Sequence, residues 1–163
     1  MNISPQIKNK NFENRFDLHF KDKLLTDISV DSVFELIRDI KDPEHPYTLE
    51  ELNVVRKDLI KIYQLKDEYV VEDIINCIEV QFEPTIPHCS MAAIIGLIIK
   101  ILLEKYIKGY YIIVSILEGS HVNDKMLNKQ LKDKDRVQAA SENEALLEII
   151  DECLVSIIDK YDL

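Results

Sequence analysis

The sequence predicts an α+β domain, a small three-stranded mixed sheet packed by helices in the order α-β-β-α-β-α-α. Three observations carry this. Residues 74–83 alternate apolar and polar side chains, residues 90–106 are apolar nearly all round, and residues 110–117 alternate again before charged helical stretches close the chain.

Each element follows in order. Residues 1–25 hold scattered phenylalanines without a period and read as a flexible extension, with residues 26–163 as one domain. Val33, Phe34, Ile37 and Ile40 recur at helical spacing, and Asp31 or Ser32 can cap that helix. It must end before "KDPEHP", because Pro43 and Pro46 push Asp42 and His45 out of the helical region. Residues 52–65 predict a strand of imperfect alternation, and residues 66–68 a turn. In the next strand Ile74, Ile78, Val80 and Phe82 share the buried face. Cys77, Glu79, Gln81 and Glu83 share the polar one, and Pro84 and Pro87 stop it.

Met91, Ile94, Ile95, Leu97, Ile98, Ile101 and Leu102 leave residues 90–106 little polar face, which marks the central core helix. Gly96 inside it costs about 1 kcal/mol against alanine, and a close approach by another element would explain the choice. Ile112, Val114 and Ile116 form one face of the third strand. Asn123 or Asp124 caps a short helix to Leu131, and a second helical stretch runs over 133–141. The last helix, 144–158, carries Leu146, Leu147, Ile150, Leu154, Ile157 and Ile158 on one stripe.

Composition narrows the function classes. With 47% hydrophobic and 31% charged residues, the 163-residue chain reads as one soluble globular domain. Its net charge of −10 argues against a nucleic-acid binder, since such proteins draw affinity from Lys and Arg on phosphates. No targeting segment is visible, and the longest apolar run falls short of the roughly 20 residues that cross a bilayer. The glycines, Gly96, Gly109 and Gly119, are too far apart for a phosphate-binding fingerprint. Cys77, Cys89 and Cys153 are an odd, dispersed set, which suits a reducing compartment.

Chemistry concentrates in "TIPHCSMAAIIG". Cys89 stands one residue before the predicted first turn of the core helix, where unpaired amides and the helix dipole favour a thiolate. The same position suits a small buried residue in a turn, and position alone leaves both readings open. Cys77 and Cys153 read as packing residues. His88 and His121 lie in loops beside strand ends that are expected to open on one edge of the sheet. Each is a candidate ligand or base, or simply a surface histidine. His45, between Glu44 and Pro46, reads as part of a rigid turn.

A conventional iron–sulfur cluster takes four thiolates, and this chain has three. No C-x-x-C supports a closed zinc site, so a metal would be held weakly, transiently or between chains. Adjacency of His88 and Cys89 does not make a dyad, because a base must reach the thiol within about 3 Å.

"DPEHPYTLEELNVV", "PTIPHCSMAAIIG", "NKQLKDKDRVQAASEN" and "LLEIIDECL" stand in order over residues 33–154. Together they resemble the small eukaryotic subunit of the cytosolic iron–sulfur assembly targeting complex, a domain shared with bacterial SufT and PaaD. The resemblance implies a non-enzymatic adaptor joining a WD-repeat propeller protein and a HEAT-repeat protein. It would act in the cytoplasm, with the nucleus as a second location. The assembled complex would hand clusters to apoproteins, many of them DNA-maintenance enzymes.

By position Cys89 matches the family's reactive cysteine, with His88, Ser90 and Met91 around it. Asp42, Pro43, Glu44, His45 and Pro46 match its acidic loop. His121 matches the histidine of a glycine-threonine-histidine loop in which Ser120 here replaces threonine. Asn128, Lys129, Gln130, Asp133, Lys134 and Arg136 match its late helical motif. The resemblance thus implies Cys89 as the cluster-contacting thiolate in a site lined by His88, Ser90, His121, Glu44 and His45. It implies metal contact through Cys89 and His121, and partner contact through Asp42, Lys129 and Arg136. It implies no stably bound cofactor, only a transient cluster or metal ion, with room for a homodimer and no membrane or nucleic-acid partner. "DPEHP" and "ELNVV" look like the general eukaryotic branch, while "LEGSH" looks closer to the specialised one. The competing reading is a thiol enzyme using Cys89 with His88 or His121 as base, although no oxyanion loop is evident.

Overall fold

A computed structural model describes residues 12–66, 74–86 and 91–163. A hairpin of two-residue strands, β1 (Phe20–Lys21) and β2 (Leu24–Leu25), precedes helix α1 (Val30–Ile37). A 3-10 turn (Lys57–Leu59) leads into β3 (Ile60–Lys66), followed by β4 (Ile74–Phe82), α2 (Ala92–Tyr106) and β5 (Tyr111–Ile116). Helices α3 (Asp124–Lys132), α4 (Lys134–Ser141) and α5 (Glu144–Tyr161) complete the order. The predicted α+β class and order hold in outline, with the small hairpin added in front and three helices after the last strand.

The three-stranded sheet is mixed, as expected. β3 pairs antiparallel with β4, while β4 pairs parallel with β5 across the α2 crossover. Ile78, Val80 and Phe82 lie opposite Ile112, Val114 and Ile116, and all six are 3% exposed or less. α2 covers that face. Its other sides meet α1, α3 and α5, which is why Ile95, Ile98, Ile99, Leu102 and Leu103 are all buried. Each such side chain contributes about 1.5–3 kcal/mol. A Cβ on Gly96 would come within 2.8 Å of Leu131 Cδ1 and 3.0 Å of Phe82 Cε1. The close approach that this glycine suggests is therefore α3 on one side and β4 on the other.

Several local expectations are corrected. Ser29, not Asp31 or Ser32, caps α1. Its hydroxyl accepts from the Ser32 amide at 3.1 Å, and the Ser32 hydroxyl accepts from the Ser29 amide at 2.8 Å. Only the second half of 52–65 is strand. Leu49, Leu52, Val54 and Val55 are buried on a turn instead, with Asn53 in the left-handed region. Thr48 and Glu51 fix that turn by exchanging bonds of 3.1 Å between side chain and backbone. Ile74, on the expected inner face, is 52% exposed, with its neighbour Ile75 at 46% and Leu65 on the paired end of β3 at 49%. Cys77, on the expected polar face, is 0% exposed, its register partners being Tyr63 and Tyr111.

α2 begins at Ala92 rather than Ser90, and Asp133 caps α4 instead of joining it. α5 runs on to Tyr161, three residues beyond the expected end. Of the expected turn, Lys66 belongs to β3, and the rest lies outside the described residues. Residues 12–25, part of the expected extension, make definite contacts. Leu25 is buried, Leu18 and Phe20 pack on the core, and Arg15 pairs with Glu35 and Asp39.

Candidate functional site at the carboxyl edge of the sheet

Parallel pairing sets the site's frame. Phe82, the last residue of β4, lies opposite Ile116, the last of β5, and the Leu117 amide donates to the Phe82 carbonyl at 2.8 Å. The segments after both strands therefore leave the same edge of the sheet, as the sequence led us to expect. After β4, the Glu83 amide donates to the Val54 carbonyl at 2.9 Å, and Arg56 donates to the Glu83 carboxylate at 2.7 Å. Pro84 is buried, and the described chain reaches Ile86 before resuming at Met91. His88, Cys89 and Ser90 lie outside the described residues. Since α2 begins at Ala92, Cys89 stands three positions before the helix, further from its first turn than expected. Met91 occupies the N-cap position without a side-chain bond.

After β5, the loop carrying His121 is bonded on itself. The Ser120 amide donates to the Leu117 carbonyl at 3.0 Å, and Gly119 sits in the left-handed region. The Gly119 amide donates to Asp124 Oδ2 at 2.9 Å, and Asp124 Oδ1 accepts from the Lys125 amide. These backbone bonds hold the Asp124 carboxyl below its ordinary range. His121 is 8% exposed, and its Nδ1 accepts from the Asn123 amide at 2.9 Å. That bond occupies the Nδ1 lone pair and assigns the proton of the neutral ring to Nε2, so Nε2 stands as a donor and ligates only once that proton leaves.

The acidic loop is built around Asp42. Its Oδ2 accepts from the amides of Glu44 at 2.9 Å and His45 at 3.0 Å, and its own amide donates to the Tyr47 carbonyl. Burial pushes the Asp42 carboxyl up, against the pull of those two amides. Lys41 bridges to Thr48, and its amide donates to the Cys153 carbonyl at 3.1 Å, which fixes the loop to α5. Glu44 and His45 present half-buried side chains 3.8 Å apart. Asp42, expected to meet a partner, has its carboxylate turned into its own loop. Below it, Cys153 is 4% exposed, and burial with the nearby Asp42 charge raises its thiol to about 11.

Lys129 and Arg136 are exposed on α3 and α4. Arg136 borders an apolar groove of about 330 Å³ between α2, α3, α4 and α5, where Ile94, Leu97, Leu131 and Val137 meet. Two other residues of the late motif have structural work. Asn128 Oδ1 accepts from the Ile116 amide at 2.7 Å while its Nδ2 donates to the Ile116 carbonyl, which ties α3 to the edge of β5. Asp133 caps α4 through the amides of Asp135 and Arg136. Among the described residues, no group of three or more His, Cys, Asp or Glu side chains is placed to hold a metal ion, and no helix is long and apolar enough to cross a membrane.

No family model matches the chain. Curated relatives do. A MIP18 family protein of Caenorhabditis elegans is 50% identical over 123 residues, 75% of this chain and 72% of that one. The MIP18 family protein galla-2 of Drosophila melanogaster is 41% identical over 157 residues, 95% of each chain. The chain belongs to the MIP18 family. A further relative of this MIP18-family chain, cytosolic iron-sulfur assembly component 2B of Mus musculus, is 43% identical over 155 residues, 94% of this chain and 90% of that one.

Sequence reasoning on this MIP18-family chain missed one polar centre, the buried Arg38 between Glu35 and Glu50. The i,i+3 spacing of Glu35 and Arg38 on a short apolar helix was the available signal.

Proposed function

We propose that this chain is a non-enzymatic adaptor of cytosolic iron–sulfur assembly that helps pass clusters to apoproteins, with the Cys89 thiolate touching the cargo. The name of the Mus musculus relative, cytosolic iron-sulfur assembly component 2B, matched over 94% of this chain, is the observation that carries the reading. It also supports a cytosolic location, and the nucleus is proposed as a second one. The geometry supports it too, because the segments that bear Cys89 and His121 diverge from the same strand ends. Thiolate and imidazole nitrogen are both iron-ligand types. Cys77 and Cys153 are buried, so the described part of one chain offers no further accessible thiol. A cluster reaching Cys89 must therefore take any further thiolate from outside this chain, which suits hand-over rather than storage.

Partners follow from the same reading. A WD-repeat propeller protein and a HEAT-repeat protein bind this chain, with Lys129, Arg136 and the Asp42 loop among the contacts. His88, Ser90, Glu44 and His45 line the site, and a second copy of the chain can join it.

The test has two arms. Capture from host lysate should recover the propeller protein, and its absence counts against the adaptor role. Cys89→Ser should fold and still assemble while client proteins lose cluster content, read as iron and sulfide per client. Unchanged client clusters would sink the role given to Cys89. Turnover of an ester or disulfide that requires Cys89 would favour a thiol enzyme instead.

A further inference from the structure

The assembly reading makes no use of the buried Arg38 or of the segment laid across it. Arg38 is 1% exposed, yet every N–H of its guanidinium has an acceptor. Nε and Nη2 donate to the Glu50 carboxylate at 2.9 and 2.7 Å, and Nη1 donates to Glu35 at 2.7 Å. The remaining pair of N–H groups takes two successive backbone carbonyls, Glu13 at 2.7 Å and Asn14 at 3.2 Å. The next residue, Arg15, donates to both oxygens of Asp39 at 2.7 and 3.1 Å and to Glu35 at 3.2 Å.

The segment itself is loosely seated. Residues 12–17 are all exposed, with Phe12 at 53% and Phe16 at 39%, so aromatic burial contributes little to holding it. Polar bonds to Arg38, Asp39 and Glu35 hold it instead, with a Glu13–Lys57 pair at 3.5 Å. Beside it runs a cleft of about 580 Å³ between Phe12, Arg15, Asp39, Thr48 and Glu51, which leaves room for a different chain.

Charge defines what fits. Without residues 13–15, two cations face three carboxylates: Arg38 lies between Glu35 and Glu50, and Lys160 stands 3.9 Å from Asp39. An incoming acid would be repelled. Two neutral carbonyls followed by a cation satisfy both the open N–H pair and the excess negative charge.

We propose that Arg38, Glu35 and Asp39 form a peptide-recognition site, filled in cis by residues 13–15 and open to an extended partner segment in which two consecutive carbonyls precede an arginine. Tethering gives the cis segment a high effective concentration. A partner must therefore displace it, and the latch sets the threshold for that exchange. Being ionic and exposed, the latch weakens as salt rises.

The test uses the full chain and a labelled peptide of residues 12–18, FENRFDL, read by fluorescence anisotropy. Arg15 lies at the surface, so Arg15→Ala should fold, and a thermal melt checks this. That variant should bind the peptide at least about tenfold tighter than the wild-type chain, whose own segment competes. Arg15→Lys, which keeps the charge but loses the fork, should fall between them. Adding Asp39→Asn to Arg15→Ala, or replacing the peptide's arginine with alanine, should weaken binding at least about tenfold. Equal binding by the wild-type and Arg15→Ala chains overturns the proposal, as does equal binding of the peptide without arginine.

Discussion

Arg38 shows how one side chain can commit a region. Its charge is buried with two carboxylates, so removing it leaves both stranded. Breaking such a buried network costs about 3–5 kcal/mol. Arg38→Ala should lower the unfolding free energy by that amount in urea melts, whereas loss of a surface pair would cost under about 1 kcal/mol. Cysteine reactivity is decided at the same scale. Cys77 is 0% exposed, and the Cys153 thiol, raised to about 11, stays protonated near neutral pH. Iodoacetamide at pH 7.5 should therefore spare both in the native protein, so that mass spectrometry finds label on Cys89 alone. Labelling of Cys153 at a comparable rate would contradict the buried setting. The sequence read both cysteines as packing residues, although Cys77 falls on a polar strand face, and for Arg38 it offered only the i,i+3 spacing from Glu35.

At the scale of the element, the 42–47 loop rests on one carboxylate accepting two amides. Burial raises Asp42, so in the folded state it keeps its proton to higher pH than in the unfolded chain. Its ionisation removes stability as pH climbs from the ordinary aspartate range through the raised value. Asp42→Asn keeps an acceptor for both amides and removes that decline, so at pH 7 its melting temperature should equal or exceed wild type. Asp42→Ala loses the acceptor and should cost about 1–3 kcal/mol. A large loss in Asp42→Asn would show that the charge itself holds the loop. This loop was partly legible: the prolines ended α1 and predicted a turn, and "TLEE" is a capping-box pattern that the strand reading of 52–65 overlooked. Leu52, Val54 and Val55 look like strand residues because turn and strand burial both select apolar side chains. Only the bonds from Leu52, Asn53 and Val54 back to Thr48, Glu50 and Leu49 distinguish the two.

For the whole molecule, the net charge of −10 is an excess of carboxylates over many exposed lysines and arginines, of which Lys129 and Arg136 stand on adjoining helices. Reversing both charges should leave stability within about 0.5 kcal/mol per site, since both side chains are exposed and Arg136 makes only a long surface pair with Asp133 at 3.9 Å. Complex assembly should fall all the same, which separates partner contact from folding. Intact assembly with both reversed would remove them from the interface. By contrast, Ile98→Ala in the centre of α2 should cost about 2–5 kcal/mol through the cavity it leaves.

Local pattern by itself determined the α+β class, the central helix and the inner faces of β4 and β5, because a buried face requires apolar residues at the period of its element. It also marked Gly96 as a close approach and drew attention to the loop bearing Cys89. The sequence led us to expect both loops at one edge of a mixed sheet, and tertiary structure decided which pair runs parallel, β4 and β5, and in what register. Tertiary structure also decided that Asn128 ties α3 to β5 and that Arg38 gathers Glu13, Asn14, Glu35 and Glu50. The physical reason is range. Periodicity reports what each residue needs from its surroundings, while pairing direction and ion networks depend on which distant segment meets that need.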